Sequence, residues 1–276
     1  MPHKATINDV KCILIIGATS GIGRALALAI HDLPSKPTVI VAGRRQDRLD
    51  DIAQNAGSER IKSVRFDVSA PQETLKRNVE EVIKAYPELD AVMFSSGIQH
   101  IFNFAEPQKI DVSKALDELN VNYGAVFAMI TYFTPQLLKI AKTGKPAFIY
   151  TITSGLGLLP APHLSNYSAT KAALHSLSLS LTAQLEPHGV YVVEISPPLV
   201  ESELHDHQGL TPVLSKVWMP LDEFTKLTMA ELAKGTEQIP VGTVSEWYNN
   251  FDTYNEGKGN KLDDVRNFQA RIAKKD

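Results

Sequence analysis

Apolar and amphipathic stretches alternate along most of the chain. Residues 11–16 form a short run, ending Cys-Ile-Leu-Ile-Ile, of the kind that makes a strand buried on both faces. It leads into Gly17-Ala-Thr-Ser-Gly21-Ile-Gly23, and residues 24–33 then read as a helix that Pro34 and Pro37 end. Residues 38–42 are a second β-rich run, which completes a βαβ unit. The same alternation continues. Helix is predicted over 46–56, strand over 61–66, helix over 72–85 and strand over 89–94. A long helical region runs from 112 through 140, followed by strand over 147–152. Residues 172–186 are rich in Ala, Leu and Ser with no Pro or Gly until Pro187, which favours helix, and 190–195 is a sixth strand. Strands alternating with helices predict an α/β fold with a doubly wound parallel sheet.

The pattern changes after residue 202. Leu204, Leu210, Val213, Leu214, Val217, Trp218, Met219, Leu221, Phe224 and Leu227 are scattered among polar residues between 203 and 240. They predict one or two helices, serving either as an apolar lid over a pocket or as ordinary core. Residues 241–276 are polar and charged, with a possible helix over 262–275. No repeat or linker divides the chain, so a single domain spanning 1–276 is expected.

Composition narrows the function. The chain has 276 residues, 43% hydrophobic and 21% charged, with net charge −3 and pI near 6.3. These values give no reason to expect nucleic-acid or anionic-membrane partners. Cys12 is the one cysteine, so no intrachain disulfide forms; a buried, inert thiol and a cytoplasmic, reducing location are expected. The N-terminal residues lack the apolar core of a signal peptide, and no apolar stretch is read as reaching the roughly 18 residues that span a bilayer. His205 and His207 lie in a polar loop, and no metal is expected there.

Several residues carry chemistry. Glycines between a strand and a helix let the backbone approach a pyrophosphate, and the helix N-terminus attracts that anion. The second strand ends Gly43-Arg44-Arg45, without the acid that accepts from a ribose 2′-hydroxyl. Arginines there suit a 2′-phosphate, or else are solvated residues at a helix start. Asp67, past the third strand, either meets an adenine amino group or caps the following helix. Ser95-Ser96-Gly97 closes the fourth strand, and the small residues leave room beside a cofactor. Asn120 and Asn122 interrupt an apolar helix; such amides turn either to solvent or into a crevice. Tyr167 and Lys171, four apart, share one helix face; the ammonium is expected to lower the phenol pKa. Ser154 precedes Tyr167 by 13 residues and follows a strand, from where its hydroxyl can reach a substrate oxygen.

Assembled in this order, the residues resemble the short-chain dehydrogenase/reductase family over residues 11–202. The resemblance implies a Rossmann-type sheet of about seven strands with a small C-terminal lid, binding NADP(H). Gly17, Thr19, Ser20, Gly21, Ile22 and Gly23 match its phosphate-binding turn, Arg44 and Arg45 the basic positions of NADP-preferring members, and Asp67 with Val68 its adenine contact. Ser96, Gly97, Pro197 and Val200 match segments against the nicotinamide side, together with Tyr167 and Lys171. Asn122, Ser154, Tyr167 and Lys171 match its catalytic tetrad, with Asn122 preferred over Asn120 because it leads into Tyr-Gly-Ala-Val-Phe. The departures are Ile16 and Ser202 in place of the usual threonines, Phe94-Ser95-Ser96-Gly97 for Asn-Asn-Ala-Gly, and Pro198 for glycine. Implied are an NADP(H)-dependent carbonyl reductase or alcohol dehydrogenase acting on an apolar small molecule, and a homodimer or homotetramer. The alternatives are a reductase of C=C or C=N bonds and a non-catalytic NADP(H)-binding sensor.

Overall fold

The strand runs are apolar at nearly every position because helices cover both faces of the sheet they build. In the computed structural model, which describes residues 4–250, seven parallel strands lie in the order β3-β2-β1-β4-β5-β6-β7. They are β1 (Cys12–Ile16), β2 (Thr38–Gly43), β3 (Ile61–Arg65), β4 (Ala91–Phe94), β5 (Ala147–Ile152), β6 (Val190–Ser196) and β7 (Gln238–Pro240). The two-residue period sorts each strand's side chains between two cores. Ile13, Ile15, Val39 and Val41 pack with Leu26, Ala27 and Ile30 of α1 (Gly21–His31) and Leu49 and Ile52 of α2 (Gln46–Asn55). Leu14, Ile16, Ile40 and Ala42 face the other way, toward Leu75 and Val79 of α3 (Gln72–Ala85). This is a Rossmann-type fold.

Strand order reverses between β1 and β4, and the segments that follow their carboxyl ends border one cleft there. The first residues after β1, β2, β3, β4, β5 and β6 at that edge line one cleft. The second core is completed by Val126, Met129, Phe133 and Leu137 of α5 (Ala125–Ala141) and Leu174 of α6 (Ser165–Leu185). Helix α4 (Val112–Leu119), a π-turn over Asn120–Gly124 and α5 run on as one helical stretch, Val112–Ala141. Contrary to the sequence expectation, that stretch is long and apolar enough to cross a membrane by length and composition alone. Much of its apolar character belongs to the face buried on the sheet. Val112, Leu116, Leu119 and Phe127 remain exposed.

The region expected as a lid divides in two. A 3-10 turn (Glu203–Gln208) and α7 (Thr211–Leu214) border the cleft. Helix α8 (Leu221–Lys234) does not: it packs beside α1, with Phe224 and Leu232 in the first core. The seventh strand, β7, also falls inside the stretch read as lid. The start of the polar extension folds as α9 (Thr243–Asn250), with Val244 buried, whereas the helix expected over 262–275 lies outside the described residues.

Phe224→Ala distinguishes core from lid. Truncating a fully buried Phe is expected to cost about 3–5 kcal/mol in urea unfolding while leaving cofactor affinity in the folded protein unchanged. Unaltered stability with weakened substrate binding would return α8 to the lid.

Candidate active site

β1 delivers the chain into the glycine turn, and Gly17 is where the turn is tightest. Its φ is +92°, and a Cβ there would lie 2.4 Å from the backbone nitrogen of Ser96. The loops after β1 and β4 are thereby pressed together. Ser20 precedes α1 in the N-cap position without capping it; its Oγ accepts from Arg45 Nη2 at 2.8 Å. The first turn of α1, which holds Gly21, Ile22 and Gly23, keeps its N–H groups clear of a side-chain cap. Ser96 Oγ is buried without a hydrogen-bond partner. A close-packed glycine turn, an uncapped helix start and a bare hydroxyl on one cleft of about 1480 Å³ fit a dinucleotide.

Gly43 ends β2. A Cβ on it would strike Thr19 Cγ2 at 2.5 Å, so this strand end has no space for the carboxylate that reads a ribose 2′-hydroxyl. The two arginines behave differently. Arg44 is exposed on the cleft rim, and its charge helps hold the Asp67 carboxyl below its ordinary value, after the larger effect of the Ser69 hydroxyl. Arg45 lies on the glycine turn, donating from Nε and Nη2 to Thr19 Oγ1 at 3.1 and 2.7 Å. Asp67 closes a local turn by accepting from Ser69 N at 3.0 Å and Ser69 Oγ at 2.7 Å; Pro71, not Asp67, takes the N-cap of α3. Val68 lines the same end of the cleft.

At the other end, α6 carries Tyr167 and Lys171, both buried. Lys171 Nζ lies 5.5 Å from the Tyr167 ring centroid and donates to the Ile152 carbonyl at 2.8 Å. Ser154 sits at the end of β5, its Oγ accepting from Leu156 N at 3.1 Å. Asn122 lies on the π-turn, a local widening that breaks the regular helical bonding. Its side chain is fully used: Oδ1 accepts from Ile98 N, while Nδ2 donates to Ile98 O, both at 2.9 Å, and to Thr170 Oγ1 at 3.1 Å. Asn122 therefore ties the loop after β4 to α6, as a crevice-facing amide. Asn120 also lines the cleft. Pro197 O accepts from Gly155 N at 2.9 Å, and Val200 is buried beside it in a one-residue parallel bridge to Met219.

The expected lowering of the Tyr167 pKa is not found. Burial pushes the phenol well above its ordinary value, the Ser154 hydroxyl opposes this, and the Glu118 carboxylate adds to it. The same burial lowers Lys171 from 10.5 to about 8, with Glu118 opposing. Desolvation is the leading cause of both shifts. Cys12, far below in β1, is pushed up to about 12 by burial and is inert as expected.

Some site residues escaped the sequence. Glu118 is fully buried behind the pair and accepts from Asn166 Nδ2 at 3.1 Å. Glu194 of β6 accepts from Thr153 Oγ1 at 2.7 Å and from His175 Nδ1 at 2.8 Å, which links β5, β6 and α6 beneath Ser154. His205 Nδ1 bonds Gln99 Oε1 at 3.0 Å, and the His207 ring stands edge-on to His100. No local pattern announces these contacts, which join residues 19 to 107 positions apart.

A family model described as short chain dehydrogenase matches residues 11–211. The chain belongs to the short-chain dehydrogenase family. The uncharacterized oxidoreductase DltE of Bacillus subtilis (strain 168) is 35% identical over 212 residues, covering 75% of this chain and 79% of that one. An uncharacterized oxidoreductase of Staphylococcus aureus (strain MRSA252) is 30% identical over 206 residues, covering 72% and 82%. Among solved structures, a short-chain dehydrogenase from Sphingobium yanoikuyae in complex with NADPH superposes with a TM-score of 0.76 at 21% identity, covering 91% of this chain and 95% of that one. Another from Burkholderia phymatum, in complex with NAD, gives 0.75 at 20% identity, covering 85% and 90%. This short-chain dehydrogenase thus shares its fold with proteins that hold either nicotinamide dinucleotide.

The buried Lys171 makes its stability pH-dependent. Because the folded pKa lies below the ordinary value, the unfolded state binds the extra proton between about pH 8 and 10.5, and folding gains as pH rises through that window. The stability difference between wild type and Lys171→Met is expected to move in favour of wild type over that interval in urea unfolding. A flat difference would place the Lys171 pKa near 10.5.

Proposed function

We propose that this short-chain dehydrogenase is an NADP(H)-dependent oxidoreductase acting on a carbonyl or secondary alcohol of a small, uncharged molecule. One observation carries the cofactor choice: Gly43 is closed to a side chain by Thr19, while Arg44 and Arg45 line the same strand end. A forked guanidinium there suits a 2′-phosphate. When bound, the nicotinamide supplies the hydride. The chain supplies the rest. Tyr167 gives its proton to the developing alkoxide oxygen, or takes the alcohol proton in reverse. Ser154 donates a hydrogen bond to the same oxygen. Lys171, held by Ile152 O, keeps a donor beside the phenol, and Asn122 fixes α6 against the loop after β4.

The substrate end supports a neutral, partly apolar compound. Leu156, Leu164, Leu204 and Leu210 share it with Gln99, His100 and His205. Burial lowers the pKa of both His100 and His205, which favours neutral imidazoles. Lys171, Arg44 and Arg45 are the basic residues among the described lining, and none stands at this end except the buried Lys171. The exposed stripe of Val112, Leu116, Leu119 and Phe127 supports pairing of two or four copies; sedimentation velocity returning a monomer would remove that part.

Tyr167→Phe tests the chemistry. It should lower kcat for carbonyl reduction by about 10²–10⁴ while NADPH still binds. Wild-type turnover in the variant would exclude Tyr167 as the proton donor.

A further inference from the structure

Glu203 opens the 3-10 turn that borders the substrate end, yet its carboxylate reaches back to the cofactor end. Oε2 accepts from Arg45 Nη1 at 2.7 Å, and Oε1 pairs with Arg48 Nη1. The same Arg45 guanidinium donates through its other nitrogens to Thr19 Oγ1 and Ser20 Oγ on the glycine turn. One carboxylate, 158 residues away in sequence, therefore takes the Nη1 arm of the guanidinium whose Nε and Nη2 sit on the phosphate-binding turn. Thr19, Ser20, Arg45 and Glu203 all line the one cleft. The two arginines hold the Glu203 carboxyl below its ordinary value, so it is ionised at neutral pH.

We propose that Glu203 is a cofactor-selectivity residue, an internal anion that competes with the 2′-phosphate of the cofactor for Arg45 and Arg48. The proposal rests on the NADP(H) reading above. A carboxylate and a phosphate both accept from guanidinium N–H groups, and the Nη1 arms of Arg45 and Arg48 that Glu203 now holds serve one anion at a time. A 2′-phosphate must either take the guanidinium from Glu203 or sit beside a second negative charge. Both cost affinity in NADPH, and neither touches NADH, which has a hydroxyl in place of the phosphate. Glu203 thus tempers a preference that Arg45 creates. All three side chains are partly exposed, so the effect is modest and screened by salt.

The test is a fluorescence titration of full-length wild type and Glu203→Gln with NADPH and with NADH, at low salt and at about 0.5 M salt. The substitution keeps the side-chain shape and removes the charge. NADPH should bind about three- to five-fold more tightly to the variant at low salt, NADH should change by less than about two-fold, and the gain should shrink at high salt. Unchanged or weaker NADPH binding would overturn the proposal, the weaker case meaning that Glu203 orients Arg45 instead of competing for it. Equal tightening of both cofactors would overturn it as well, because the 2′-phosphate would then play no part. The NADP(H) reading is judged separately, by the wild type alone. A wild type that binds both cofactors equally removes that reading, while a preference for NADPH that emerges only in the variant still supports the role of Glu203.

Discussion

The burial of the Lys171 ammonium constrains the site more than any other contact. A cation removed from water is costly unless its protons find acceptors, and here the Ile152 carbonyl and the face of Tyr167 serve. That requirement fixes α6 against the end of β5, and so places Tyr167 and Ser154 on the same cleft. Asn122 adds a second tie, through Thr170, to the loop after β4. This face of the cleft is held by hydrogen bonds that run from the loop after β4 to the π-turn, and from the π-turn and the end of β5 to a single helix. The cost is visible in the lysine itself, whose pKa falls to about 8.

The opposite half of the cleft obeys a steric constraint. Gly17 brings the loops after β1 and β4 within backbone contact at the point where strand order reverses. A dinucleotide laid across that crevice meets the first turn of α1 at one end and the Tyr167–Lys171 pair at the other. Thr19 belongs to both questions. Its methyl group closes Gly43 to a side chain, and its hydroxyl seats Arg45.

Much of this was legible in the sequence because the signals are local. The strand runs, the glycine turn and the long helix after Ser154 each follow from neighbours within a few residues, and the seven-stranded parallel sheet agrees with them. β7 was missed because Gln238–Pro240 is three residues long and ends in proline, with no run to see. The sequence leaves α8 open between lid and core because an amphipathic helix looks alike whether its apolar side covers a cleft or a core; its contact with α1 decides, and that spans some two hundred residues of chain. The Tyr167 pKa was misjudged for a related reason. Spacing reveals the nearby ammonium, while the desolvation that leads the shift depends on the whole surrounding fold. Arg45 and Glu203 show the same limit, since no pattern around residue 45 points to residue 203.

The most direct test of the central claim follows the hydride itself. Wild-type protein is incubated with NADPH deuterated at C4 of the nicotinamide and a panel of neutral ketones and aldehydes, and the products are read by mass spectrometry and NMR. The account predicts deuterium on the carbinol carbon, with the new hydroxyl proton coming from solvent. Deuterium at a carbon β to an intact carbonyl would contradict it and identify a C=C reductase, and NADPH that binds without yielding any labelled product would contradict it in favour of a cofactor-binding role.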